Sequence, residues 1–161
     1  MYNLKHLLVH EIQDLYSAET QFFDALPALA EKANDPDLKA ALQLHYVERI
    51  LQMQRLEQVA ELLEVQPAEV VCKGMRGLIR EASDLVGGGR PEVIDAGLIG
   101  ATQKVEHYEI AGYGTARAHA QRLGLFEVAR MLQQTLEEKA AANDKFTRIA
   151  ESGVNQLAAA G

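Results

Sequence analysis

The sequence predicts an all-α protein: an antiparallel four-helix bundle with a short extra helix in the crossover between the two helix pairs. Three observations predict it. Four long stretches repeat apolar residues at alternating spacings of three and four, as one buried helical face requires. No β-branched run with a period of two interrupts them. Turn-forming residues fall between the stretches, while Ala, Leu, Glu and Gln are abundant, proline is limited to four and tryptophan is absent. With 161 residues, 48% of them hydrophobic and 24% charged, the chain reads as one domain spanning 1–161.

The first helix is predicted over 3–33, on the stripe Leu4, Leu8, Ile12, Leu15, Glu19, Phe22, Leu26, Leu29. Asn34-Asp35-Pro36-Asp37 is a turn in which Asp35 or Asp37 caps the next helix, since the residue before proline avoids the helical region. The second helix, 37–64, carries Leu38, Leu42, His45, Glu48, Gln52, Leu56, Val59 and Leu63, and ends at Glu64-Val65-Gln66-Pro67. A shorter helix over 68–86 makes the crossover. Gly87-Gly88-Gly89-Arg90-Pro91 is the strongest break, and Pro91 suits a first helical turn. The third long helix, 91–122, presents Leu98, Thr102, Val105/Glu106, Glu109, Tyr113 and Ala116. Gly124 ends it, and the fourth, 125–152, carries Val128, Met131, Thr135, Glu138, Ala142, Phe146 and Ile149. Each long helix spans ~40 Å at 1.5 Å per residue. The tail from Val154 to Gly161 is expected to fray.

Composition excludes several function classes. The net charge is −7. No basic stripe is present to neutralise phosphates, so neither nucleic acid nor an anionic membrane surface is an expected partner. No apolar run reaches the ~18 residues of a membrane span. Met1 to His6 is followed by Glu11 and Asp14, not by the apolar core of a secretory leader. The single cysteine, Cys72, excludes an internal disulfide and fits a reducing cytoplasm. Gly87-Gly88-Gly89 is no phosphate loop, because no strand precedes it and no Gly-Lys-Ser/Thr follows.

The informative feature is acid on the faces that should be apolar. Glu19, Glu48, Glu106, Glu109 and Glu138 all lie near helix midpoints, and His45 sits one turn before Glu48. A buried carboxylate without a partner is strongly penalised. The core stripes supply no matching set of lysines or arginines, so a bound multivalent cation is the economical solution. Oxygen donors with an imidazole suit iron or manganese, and carboxylates alone also take magnesium or calcium. The plainer reading of any one such glutamate is a boundary residue that reaches water. His107 points away from Glu106 around the helix and reads as a packing, outer or subunit-contact residue. Glu81 reads as structural, pairing with Arg76, Arg80 or another helix. Cys72 reads as an inert thiol.

Four blocks carry a resemblance: Glu11 to Glu19 (EIQDLYSAE), His45-Tyr46-Val47-Glu48, Lys104 to Gly114 (KVEHYEIAGYG) and Leu136-Glu137-Glu138-Lys139, with Cys72 to Ile79 (CKGMRGLI) in the short helix. They resemble the YciE/YciF family of bacterial, ferritin-like, stress-associated proteins, related to the rubrerythrins. That resemblance implies a ferritin-like bundle, a stress-protection role, and a di-metal centre, with two iron ions foremost and manganese or another divalent metal as substitutes. The superfamily pattern is Glu, Glu-x-x-His, Glu, Glu-x-x-His along the four helices. Carried over, Glu19 matches the first helix, Glu48 the second, Glu106 the third with Glu109 as the extra rubrerythrin carboxylate, and Glu138 the fourth. Leu51 and Ala141 stand where the two histidines belong, leaving His45 as a nitrogen ligand. Glu48 with Glu106 or Glu109 would bridge the ions, and Tyr113 or Tyr16 would fit iron oxidation or peroxide handling. The plainer role for either tyrosine is a hydroxyl bonded to a core carboxylate. The resemblance and the prevalence of two-fold assemblies also imply a homodimer. The alternative, from a different class, is a non-catalytic structural or interaction protein that keeps the bundle without the metal chemistry.

Overall fold

The computed structural model describes residues 2–160. Helices α1 (Leu4–Lys32), α2 (Pro36–Leu62), α4 (Pro91–Arg122) and α5 (Phe126–Ile149) form the four-helix bundle, and α3 (Lys73–Leu85) is the extra helix in the crossover. The pairs α1·α2 and α4·α5 are joined by short turns and are therefore antiparallel neighbours; α1 packs on α4 and α2 on α5, while α3 lies on α4 and α1. No strand occurs among the described residues.

Local chemistry sets the ends. Asn3 caps α1 by accepting from the His6 N–H at 2.9 Å. Of the two aspartates in the first turn, Asp35 is the cap, accepting from Asp37 and Leu38 at 3.0 and 2.9 Å. Asp95 of α4 reaches across to accept from the backbone N–H of Asn34 and Asp35 at 2.8 and 2.9 Å, fastening the α1–α2 turn to the other helix pair.

Two elements depart from the sequence expectation. The short helix begins at Lys73, not at 68. Cys72 is its cap: the Cys72 N–H donates to Ser17 Oγ, its carbonyl accepts from Gln21 Nε2, and its sulfur accepts from the Met75 N–H. These bonds hold the preceding chain against α1 in a non-helical path. The tail also departs. A π-turn, Ala150–Val154, continues α5 and leads into α6 (Asn155–Ala159), with Val154 buried in the core. The extra residue in the π-turn re-aims the chain so that Val154 stays inside. Gly161 of the predicted frayed tail lies outside the described residues, as does Met1.

The core has two apolar halves. One gathers Phe22, Leu26, Leu42, Leu98, Val105 and Phe146, and the other Leu8, Ile12, Leu15, Leu56, Val59 and Leu132. Between them lies a charged layer.

Candidate functional site: a buried ion-pair cluster

The charged layer draws on all four long helices. Glu19 comes from α1, His45 and Arg49 from α2, Glu106, Glu109 and Tyr113 from α4, and Lys139 from α5. Glu19, Arg49, Glu106, Glu109, Tyr113 and Lys139 are all fully shielded from solvent, and His45 nearly so.

Arg49 is the hub. Its Nη1 and Nη2 form a fork on Glu109, at 2.8 Å to Oε1 and 2.9 Å to Oε2. Nη1 also donates to Glu19, and Nη2 donates to Glu106 at 3.1 Å. Its guanidinium lies over the Phe22 ring, 4.4 Å from the centroid. Lys139 Nζ bridges two of the same acids, 3.0 Å from Glu19 and 2.9 Å from Glu109. Tyr113 donates its hydroxyl to Glu19 at 2.8 Å, the structural role the sequence allowed for it.

His45 Nε2 lies 2.7 Å from Glu106 Oε1 and 3.3 Å from Arg49 Nη2. A carboxylate only accepts, so the 2.7 Å contact places a proton on Nε2 that is given to Glu106, and the longer approach of Arg49 Nη2 is then donor beside donor and not a hydrogen bond. His45 Nδ1 has no hydrogen-bond partner and sits 3.5 Å from a Glu48 oxygen.

The electrostatics follow from shared cations. Burial pushes every acid of the layer up. Lys139 and Arg49 nevertheless hold Glu19 below the usual carboxylate range. Against the same burial, Lys139, His45 and Arg49 hold Glu106 down, to about 2. Glu109 is pushed up by burial and by its neighbours Glu19 and Glu106, which together outweigh Arg49 and Lys139. Burial opposes the charge on Lys139, as does Arg49, but the three carboxylates raise it above an ordinary lysine. Three acids share two permanent cations, and Glu109 carries the deficit.

Of the six residues singled out as ligands, the structure brings four together: Glu19, His45, Glu106 and Glu109. Glu48 stays at the rim: its side chain is 44% exposed and touches the layer only through His45 Nδ1, 3.5 Å away. Glu138 does not join them; it faces the flank of the bundle, where Arg55 grips both its oxygens at 2.9 Å and Gln52 donates to it at 3.2 Å. The inward positions are one residue further on, at Arg49 and Lys139. The expectation that the core supplies no matching cations is therefore corrected. Spacings of three and four are equally helical, and the step from His45 to Gln52 passes through 49 just as readily as through 48.

This donor set does not fit a metal pair. The carboxylates that reach the centre already hold an arginine and a lysine within hydrogen-bond distance, and an ion placed among them would meet two positive charges at close range. Among the described residues, no three histidine, cysteine or acidic side chains are disposed to hold a metal ion.

The remaining candidates have ordinary roles. Tyr16 donates to Glu57 at 2.9 Å near the surface. His107 Nδ1 pairs with the Gln103 carbonyl at 2.9 Å. Glu81 pairs with Lys104 at 3.4 Å on the surface. Cys72 is buried, with its sulfur 2.9 Å from the Tyr108 hydroxyl, which donates to Asp14 at 2.9 Å and so pins α3 to the bundle.

Comparison with known proteins agrees with the blocks quoted above. A family model described as a domain of unknown function, DUF892, matches residues 3–159. Protein YciF of Escherichia coli (strain K12) is 39% identical over 160 residues, covering 98% of this chain and 96% of that protein. The crystal structure of the E. coli stress protein YciF superposes with a TM-score of 0.92, covering 96% of this chain and 99% of the other. YcfI of Rhodopseudomonas palustris, a structural-protein candidate, is 39% identical with a TM-score of 0.88, over 91% of this chain and 94% of its own. A Xanthomonas campestris pv. campestris protein, 24% identical with a TM-score of 0.75, shares the fold. By sequence over nearly its whole length, and by fold, the chain belongs to the DUF892 family of YciF-like proteins.

Proposed function

We propose that this chain is a non-catalytic structural and interaction protein of a stress response, working through its outer surface as a homodimer. The observation that carries the reading is the outer face of α2. Leu44, Val47, Ile50 and Leu51 are exposed at 47, 55, 38 and 59%. Between Ala40 and Gln54, Glu48 at the edge of the strip is the one charged side chain that reaches solvent; the other exposed residues are Ala, Gln, Leu, Val and Ile. A helix in a monomer normally turns charge to water, and a contiguous apolar strip there favours a partner. The inner face of α2 buries Leu38, Leu42, Leu56 and Val59 on either side of His45, Arg49 and Gln52, and the outer apolar strip is left over.

The adjoining groove between α2 and α5 suggests that the partner is a second copy. It encloses about 260 Å³ over Ala41, Ala142 and Phe146. Glu48 and Glu138 stand at one end, and Lys145 and Arg148 at the other. A two-fold axis across the groove reverses its direction, setting the acidic end of one copy against the basic end of the next. The stress-protein description of the E. coli relative and the structural description of the R. palustris one support the same reading. So does a core in which Glu19, Glu106 and Glu109 are held by Arg49 and Lys139 of the same chain.

Sedimentation velocity tests it. The wild-type chain is expected as a dimer, and a Val47→Asp, Leu51→Lys variant as a folded monomer. A monomeric wild type, or a variant that stays dimeric, overturns the reading.

A further inference from the structure

We propose that Arg49 and Lys139 are side-chain substitutes for a pair of divalent cations, so that the centre of this bundle is a metal site closed by its own residues and reopened by exchanging them. The inference concerns the core alone and stands or falls independently of the association state.

The argument begins with which helix supplies which charge. α1 and α4 bring acids to one point, namely Glu19, Glu106 and Glu109. The residues of α2 and α5 that reach that same point are Arg49 and Lys139. Both cations lie between carboxylates of different helices, which is where a bridging ion would sit. Lys139 Nζ touches α1 and α4 together, and Arg49 touches three carboxylates at once. Each is wholly buried, a position that lysine and arginine occupy only when paired.

Donor atoms are also left idle. Glu106 Oε2, Gln52 Oε1 and His45 Nδ1 are buried without hydrogen-bond partners. Two side-chain cations hold the acids together without saturating them, as the count of three carboxylates to two fixed charges requires.

Exchange should therefore restore a site. In an Arg49→Gln, Lys139→Glu variant, four carboxylates from three helices face one another with no fixed cation. Their formal charge of −4 is the charge that two divalent ions neutralise. Shortening the arginine also frees room for ions at metal–oxygen distances of ~2.0–2.2 Å.

The test is a Co²⁺ titration of the wild-type full chain and of the double variant, followed by visible absorption and by thermal midpoint with and without chelator. For the wild type, neither millimolar Co²⁺ nor chelator is expected to move the midpoint, and no ligand-field band develops. For the variant without metal, the midpoint is expected to fall by about 10 °C or more. Co²⁺ then recovers it with a saturable ligand-field band at two ions per chain, and a further Glu19→Gln change removes that band. A folded double variant that takes up no more Co²⁺ than wild type overturns the proposal. So does a wild type that Co²⁺ stabilises through Glu19, seen as loss of that stabilisation in Glu19→Gln. Should the double variant not fold even with Co²⁺, the single Lys139→Gln variant decides. It is expected to gain a Co²⁺-dependent rise in midpoint that wild type lacks, and no gain overturns the proposal.

Discussion

Arg49 and Arg55 lie six residues apart on one helix, and each grips a glutamate with both terminal nitrogens. Arg49 and Glu109 are completely buried, whereas the side chains of Arg55 and Glu138 are 13% and 36% exposed. The contacts are nearly the same in length, so any difference in consequence comes from the surroundings. Removing one partner in water releases the other to solvent. Removing one partner in the core strands a charge that nothing else can neutralise.

The largest expected effect follows directly. Arg49→Met keeps the volume roughly constant but leaves three buried acids with Lys139 alone. It should cost about 3–5 kcal/mol in urea-induced unfolding, or force proton uptake by the acids. A loss below about 1 kcal/mol would mean that water reaches the layer, and the contrast with Arg55 would collapse.

Acid should act on the same layer. Glu19 and Glu106 are held below the ordinary carboxylate value, so the folded state binds their protons less readily than the unfolded chain does. Their stabilisation is fully present above about 4.5 and is lost as pH falls toward the Glu106 value of about 2. Lys139 has the opposite sign: raised in the fold, it contributes below its ordinary value and is lost only in strong alkali. Unfolding midpoints of wild type and Glu106→Gln, measured from neutral pH to pH 3, check the acid limb. The variant should show a shallower decline, and parallel curves would place the acid sensitivity elsewhere.

Arg55→Met should matter much less. Its pair with Glu138 lies at the flank of the bundle, where burial pushes Glu138 up but the bonds from Arg55, Gln52 and Gln134 and the Arg55 charge together hold it below the usual carboxylate range. Screened by solvent, the loss should be about 1 kcal/mol or less. Combining Arg49→Met with Arg55→Met sharpens the comparison, because independent pairs add and a shared network does not.

The fold was legible because helix periodicity, capping residues and glycine breaks all report on local geometry. The four long helices fall within a few residues of the expected ranges, Asp35 caps α2 with its carboxylate, and Gly124 ends α4 by taking a positive φ. The acids that converge were legible for the same reason, since Glu19, Glu106 and Glu109 interrupt otherwise apolar faces. What balances them was not. Whether 48 or 49, and 138 or 139, points inward depends on how far each helix is rotated against its neighbours. That rotation is fixed by packing from α1 and α4, distant in the chain. Each inward cation directly follows a glutamate in the sequence, Glu48-Arg49 and Glu138-Lys139, so the local pattern fits either residue of the pair. Asp95 and Tyr108 were missed because their partners, the α1–α2 turn and Cys72, are also far away in sequence.

The smallest effect concerns two helix ends that close alike with different residues. After α4, Gly124 adopts φ 74°, and the Leu125 N–H reaches back to the Ala120 carbonyl at 2.9 Å. After α2, Glu64 adopts φ 59°, and the Val65 N–H reaches back to Ala60 at 3.0 Å. Both are left-handed helix stops, but only glycine takes that conformation without a steric cost of ~1 kcal/mol. Glu64 is exposed, so replacing it removes no packing. Glu64→Gly therefore relieves the backbone while loosening the unfolded chain, and the balance should be a gain of about 0.5 kcal/mol. Gly124→Ala should run the other way by about 1 kcal/mol. No neighbouring atom lies within 4 Å of the added methyl group, so the penalty there is conformational, not a clash. Opposite signs in paired urea midpoints would establish that backbone handedness governs both ends. A destabilised Glu64→Gly would instead show that the glutamate side chain contributes more than its conformation costs.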